Sequence, residues 1–247
     1  MKTYFYLLSL LLSGIPQMLP AQYSLKSELN LPRAGDELVK EQAVYFDPGA
    51  AGENQTWDFR NIQLLDDACT VLYFTRNDRK IIESGSGKLT FLQATGDSLL
   101  TAGYETPVDL VRYRKPGLLL RFPIAYGASS SGHFRGRGKH HDRMESVVLG
   151  EIRTTADAAG KLILPGNDTL NSVIRIHIRK TETVRYIPIS SGFAIDLSAN
   201  DSLFSVSPPE TVITDTYQWY SKGCRYPVFE TVRSLVKIDT TEKDNIQ

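Results

Sequence analysis

The 247-residue chain has no net charge that would direct it to a charged partner. Its 28 lysine and arginine residues are balanced by 28 aspartate and glutamate residues. Balanced charge gives no general attraction to nucleic acid or to an anionic membrane. The chain also has no glycine-rich phosphate loop, cysteine cluster or nucleic-acid motif. We therefore predict no nucleic-acid partner and no cofactor.

Sustained helical periodicity is also missing from the sequence. Short alternating segments such as Thr70–Thr75 and Lys88–Gln93 follow one another instead, separated by turn residues at hairpin spacing. This regular succession of short strands and turns predicts an all-β, mainly antiparallel fold with little helix. Two architectures fit it: a β-sandwich, or a strongly curved and partly closed sheet.

Only the N-terminus contains a long apolar run. Lys2 precedes the apolar segment Tyr4–Ile15, which is too short to span a bilayer, and Leu19-Pro20-Ala21 is typical of a cleavage site. We predict a signal peptide over residues 1–21, cleaved after Ala21, and export to the periplasm or cell surface with no transmembrane segment in the mature chain. The remainder is predicted as one all-β domain with a less regular N-terminal part, an antiparallel meander and a polar tail: 22–65, 66–238 and 239–247.

The centre of the predicted meander is the stretch Gly150–Lys180. Asp157–Gly160 and Pro165–Asp168 have turn composition. Isoleucines then alternate with charged residues at a period of two, which indicates a strand with one buried and one solvated face. The buried set is Ile174, Ile176 and Ile178, and the solvated set is Arg175, His177 and Arg179.

Two cysteines remain, Cys69 and Cys224. In an oxidising compartment an even pair favours a disulfide, and two separate buried thiols are the alternative.

A basic segment from His133 to Arg143 follows a serine- and glycine-rich lead, and we predict a long exposed loop or a loosely paired hairpin. Its histidines are metal-type donors, but adjacent His140 and His141 point to opposite faces of an extended chain and the nearby cations repel a dication. We therefore predict no metal site. The ligand-contact candidates here, for a glycan sulfate, a phosphate or a lipid headgroup, are Arg135, Arg137, Lys139, His140 and His141.

The aromatic residues Trp219 and Tyr220 are further ligand-contact candidates, as a sugar-stacking platform, with core packing as the alternative. Trp57 and Phe59 are predicted to face a core. A glycan hydrolase would need two carboxylates paired in space. Candidates for such a pair are Asp58, Asp109, Asp196, Asp215 and Glu230.

Three segments resemble a family of exported all-β proteins of the Bacteroidetes type. They are Asn54–Phe59, the turn and strand from Asp157 to Pro165, and the closing hairpin Trp219–Glu230. The final two hairpins are also similar to those of curved-sheet periplasmic carriers. The first resemblance implies export and supplies no catalytic residues. Cys224 stands where the family pattern has an aromatic residue, which favours pairing with Cys69.

Together these observations predict an exported, monomeric, non-enzymatic protein. It would bind an apolar, lipid or glycan ligand, or serve as a structural component of the envelope or surface. The alternatives are an extracytoplasmic glycan hydrolase and an adhesion or assembly module.

Overall fold

The computed structural model describes residues 23–76, 80–189 and 208–238. Within these ranges the chain forms a four-residue helix α1 (Ser27–Asn30), a short 3-10 turn (Pro165–Asn167) and twelve β-strands. The all-β, mainly antiparallel prediction is confirmed. No helix in these ranges is long and apolar enough to cross a membrane. The strands are β1 (Glu37–Ala43), β2 (Gly52–Asp58), β3 (Leu64–Thr75), β4 (Ile81–Gly85), β5 (Lys88–Thr95), β6 (Ser98–Glu105), β7 (Asp109–Arg121), β8 (Ser129–His140), β9 (Met144–Ile163), β10 (Thr169–Pro188), β11 (Glu210–Ser221) and β12 (Phe229–Ile238).

Some predicted segments lie outside the described residues. They are the signal peptide, the polar tail and the candidate carboxylate Asp196. Two further segments whose composition predicts strands, Phe193–Leu197 and Leu203–Val206, also lie there.

The strands form one sheet in nearly sequential order. From β3 to β12 each strand pairs with the next in the chain, and β1 pairs with β3. The exception is β2, which pairs in parallel with the last part of β9. This pairing begins just after the residues of β9 that pair with β8. A β-carbon on Gly160 would overlap the backbone of Gln55, so glycine permits this close approach.

The sheet curves until its first and last strands approach each other. Tyr73 of β3 and Tyr220 of β11 belong to one buried cluster, which also contains Leu25 from the N-terminal segment. Lys40 Nζ of β1 lies 3.8 Å from Glu230 Oε1 of β12. Within the described residues β1 and β12 share no backbone ladder. The architecture is therefore the curved sheet, and it is not closed.

We call the concave side, which carries Ile174, Ile176 and Tyr220, the inner face. The outer face carries Val173 and Trp219, which pack in a second cluster with Trp57 and Phe59. The prediction that Trp57 and Phe59 face a core is confirmed, since they are 5% and 2% exposed. The segment containing β2 thus covers part of the outer face, and β9 to β11 are buried on both sides there.

The segment before and including β2 covers Arg175 on the outer face, and the prediction that Arg175 is solvated is therefore wrong. Arg175 is 1% exposed. Its Nε and Nη2 each donate a 2.9 Å hydrogen bond to the carboxylate of Asp157. Its guanidinium also donates to the backbone carbonyls of Pro48, Gly49 and Ala50. The arginine therefore ties the segment before β2 to the sheet.

Two local predictions are also corrected. Asp157–Gly160 forms no turn, because it lies inside β9 and pairs with β10 on one side and β2 on the other. The basic segment is neither a loop nor a loose hairpin, since its residues up to His140 belong to β8. This strand pairs with β9 along its whole length and with β7 from Arg135 to His140. A β-carbon on Gly136 or Gly138 would overlap β7, so these glycines serve close strand packing rather than flexibility. The turn at Pro165–Asp168 is confirmed.

The predicted disulfide is wrong for this structure. Both cysteines are free thiols. Cys69 lies on β3 with its Sγ 3.2 Å from Ser86 Oγ. Cys224 is exposed in the turn between β11 and β12, and the two thiols are not close to each other.

Candidate functional site

The inner face contains a nearly buried polar cluster built from β7 and β10. Glu182 is 8% exposed. Its Oε2 accepts a 2.7 Å hydrogen bond from the Tyr113 hydroxyl and lies 2.7 Å from Lys180 Nζ. Lys180 also donates to the Tyr113 hydroxyl over 3.2 Å. Burial of the phenol raises the pKa of Tyr113. A buried charge is destabilising unless it has such partners, and here Lys180, Glu182 and Tyr113 supply them to one another.

Two lysines of this face lie over aromatic rings. Lys180 Nζ is 5.2 Å from the centroid of Phe134 and 5.6 Å from that of Tyr104. Lys88 Nζ is 4.9 Å from the Tyr104 centroid. Lys88 keeps access to solvent, yet surrounding protein atoms desolvate it and, together with the charge of Lys180, lower its pKa. The inner face therefore presents two cations beside aromatic rings.

Further along the inner face, β12 presents an apolar strip. Gln218 of β11 belongs to the inner face and donates a 2.6 Å hydrogen bond to Glu230 Oε2, which places Glu230 on that face as well. Alternate residues of a strand share a face. The inner-face residues that follow Glu230 therefore include three exposed apolar side chains: Val232 (49%), Val236 (53%) and Ile238 (60%).

On the outer face, a surface groove of about 660 Å³ lies over β7 to β10. Its lining includes Lys115, His133, Arg135, Leu149 and Glu151. Leu149 is 55% exposed, which is unusual for a leucine in the middle of an interior strand.

The structure separates the basic candidates named from the sequence. Arg135 lines the outer groove. Arg137 pairs with Glu145 at 2.9 Å beside it, and Lys139 lies 4.0 Å from Asp142.

The two histidines at the end of the basic segment, His140 as the last residue of β8 and His141 just after it, do not join this groove. His140 turns inward, where its Nδ1 lies 2.8 Å from Asp109 Oδ1 and its ring lies 4.6 Å from the ring of Tyr186. His141 is exposed just after the strand, at a positive φ of 50°. Within the described residues no group of three or more His, Cys, Asp or Glu side chains is placed to hold a metal ion.

Trp219 and Tyr220, the other ligand candidates, lie in the core. They are 0% and 5% exposed and pack on opposite faces of β11. The Trp219 ring makes an edge contact with Trp57 at 5.9 Å and another with Phe59 at 5.5 Å. Neither residue offers a ring face to a sugar in this structure.

The carboxylates considered for hydrolysis have separate partners. Asp58 pairs with Arg60, Asp109 with His140, and Glu230 with Gln218. Asp215 accepts hydrogen bonds from both Nε and Nη2 of Arg179 and lies 2.7 Å from His177 Nε2. The hydrogen bonds from Arg179 hold the pKa of Asp215 below its usual value.

Its fold and surfaces together define the class of this chain. It is an all-β protein that consists of one strongly curved, mainly antiparallel sheet with a partly apolar concave face. Comparison with known protein families, curated proteins and solved structures found no match. The resemblance to exported Bacteroidetes-type proteins stays a prediction.

Sequence reasoning named Arg135 but missed Lys115 and Leu149 in the outer groove, and it missed the polar cluster of the inner face. Lys88, Lys180 and Glu182 belong to strands that were recognised, but their clustering depends on which strands face each other across the curve. One available signal was the run of glycines in β8, because small residues opposite Tyr113 leave room for its ring.

Proposed function

We propose that this protein is an exported, non-enzymatic binding protein that holds an anionic amphiphile against the inner face of its sheet. The observation that carries the proposal is the exposed apolar strip of β12 on the same concave side as the accessible Lys88. Buried apolar area drives the binding of an acyl chain, at about 25 cal/mol per Å². A cation over an aromatic ring suits a carboxylate or phosphate headgroup.

The other classes considered from the sequence have less support. The carboxylates of the hydrolase alternative that lie in the described residues bond to separate partners rather than to one another. One feature supports an adhesion or assembly module. The strand β12 ends the sheet order, so its free edge could pair with another chain, and Leu235 is exposed on its outer face. We therefore favour amphiphile binding.

The two faces of β12 allow a matched test. Val236 points inward and Leu235 outward, and they are 53% and 54% exposed. We expect Val236→Asp to weaken binding of a fluorescent fatty acid by at least about tenfold, because a carboxylate beside an acyl chain loses its hydration. Leu235→Asp should bind as the wild type does, and Lys88→Gln should weaken a fatty acid more than the corresponding alcohol.

Equal affinities in the Val236→Asp and Leu235→Asp variants would contradict amphiphile binding on the inner face. Native mass spectrometry of the protein from its own envelope gives an independent check, since a bound lipid should be lost on denaturation.

A further inference from the structure

The outer groove is built from two neighbouring cross-strand rows of side chains. In one row Lys115, Arg135, Leu149 and Thr183 lie opposite one another on β7, β8, β9 and β10. In the next row His133 lies opposite Glu151, which lies opposite Thr181. Alternation along each strand places all of these residues on the outer face. The register thus assembles a continuous lining that no single stretch of sequence contains.

This surface carries more positive than negative charge. The flanking rows add four arginines on the same face: Arg137, Arg153, Arg179 and Arg185. Glu145, Glu151 and Asp215 each form an ion pair with one of these arginines. In the part of the chain that the structure describes, Lys115, Arg135 and Arg185 have no carboxylate within ion-pair distance.

Two of these cations stand directly opposite each other. Lys115 of β7 and Arg135 of β8 are register partners beside a strand irregularity, and both are exposed. Like charges facing each other across strands destabilise a sheet. An anion between them would relieve the repulsion, and the planar guanidinium of Arg135 suits two oxygens of one phosphate.

The next position in the same row is apolar. Leu149, directly opposite Arg135, is more than half exposed. The groove therefore places a cationic end next to an apolar surface, within a volume that accommodates a small molecule.

We propose that the outer groove binds a small phosphate ester, with Lys115 and Arg135 on the phosphate and Leu149 against the organic part. This site is independent of the amphiphile site, because the two lie on opposite faces of the sheet.

The test is titration calorimetry of the purified protein with phenyl phosphate, inorganic phosphate and phenol at constant ionic strength. The double variant Lys115→Gln/Arg135→Gln should bind phenyl phosphate at least about tenfold more weakly, since charge-assisted hydrogen bonds are lost. Leu149→Ser should weaken phenyl phosphate by about fivefold and leave inorganic phosphate unchanged. Arg121→Gln, which removes an exposed cation of β7 outside the groove, is the matched control.

All of these positions are exposed, so the variants should fold, which circular dichroism would verify. Saturable binding that falls in the double variant and persists in Val236→Asp supports the proposal and separates it from the inner-face function. Absence of saturable phenyl phosphate binding, or equal affinities in the double variant and in Arg121→Gln, would overturn it.

Discussion

Replacement of Arg175 by methionine tests how the outer face is held together. Methionine matches the length of the arginine stem but cannot donate hydrogen bonds. The change leaves the Asp157 carboxylate, 15% exposed, without its ion-pair partner. It also leaves the carbonyls of Pro48, Gly49 and Ala50 without their donor.

The expected loss in free energy of unfolding follows from this geometry. Removing one partner of a buried ion pair costs about 3–5 kcal/mol, because the remaining charge stays desolvated. Gly49 and Ala50 are exposed and can recruit water, so their carbonyls should add little. We expect about 4 kcal/mol in total, a large part of the roughly 5–15 kcal/mol that stabilises a typical domain.

Urea denaturation followed by tryptophan fluorescence measures this loss, because Trp57 and Trp219 surround the arginine. The matched control is Arg153→Met, which removes an arginine 64% exposed and paired with Glu151 at 3.3 Å. Exposed pairs contribute about 0–1 kcal/mol. The double variant Asp157→Leu/Arg175→Met should recover part of the loss because no orphaned carboxylate remains. Equal losses in the Arg175→Met and Arg153→Met variants would refute the structural role assigned to Arg175.

Two further predictions concern the sheet. Gly160→Ala should cost about 1–3 kcal/mol in unfolding free energy and reduce hydrogen-exchange protection of β2, because its methyl group would overlap Gln55; wild-type protection would contradict this. Asp215 has a lowered folded-state pKa, so its ionised form stabilises the fold above the unfolded pKa of about 3.9, and this contribution is lost as pH falls through the folded value. Asp215→Asn should therefore flatten the stability profile below about pH 4, and an unchanged acid limb in urea titrations would count against it.

The period-two alternation of apolar and polar residues predicted burial correctly where a strand has one face against the core and the other face in solvent. Ile174 and Ile176 of β10 are buried as predicted, Ile178 is half-buried against the same core, and Trp57 and Phe59 are buried. The same rule failed at Arg175, because alternation assigns a residue to a face but does not say whether another segment covers that face. It failed at Asp157–Gly160 for a related reason, since turn composition was overridden by pairing on both edges of β9.

The sequence by itself determined the all-β class, the antiparallel meander and most of its strands, because these depend on neighbours a few residues apart; it did not predict β8 or the continuity of β9 through Asp157–Gly160. Only the tertiary structure decided which strand ends meet. Curvature brings Lys40 near Glu230, and register aligns Lys115, Arg135 and Leu149 in one row. Such contacts join residues distant in the chain, and a shift of one residue in register would move each side chain to the opposite face.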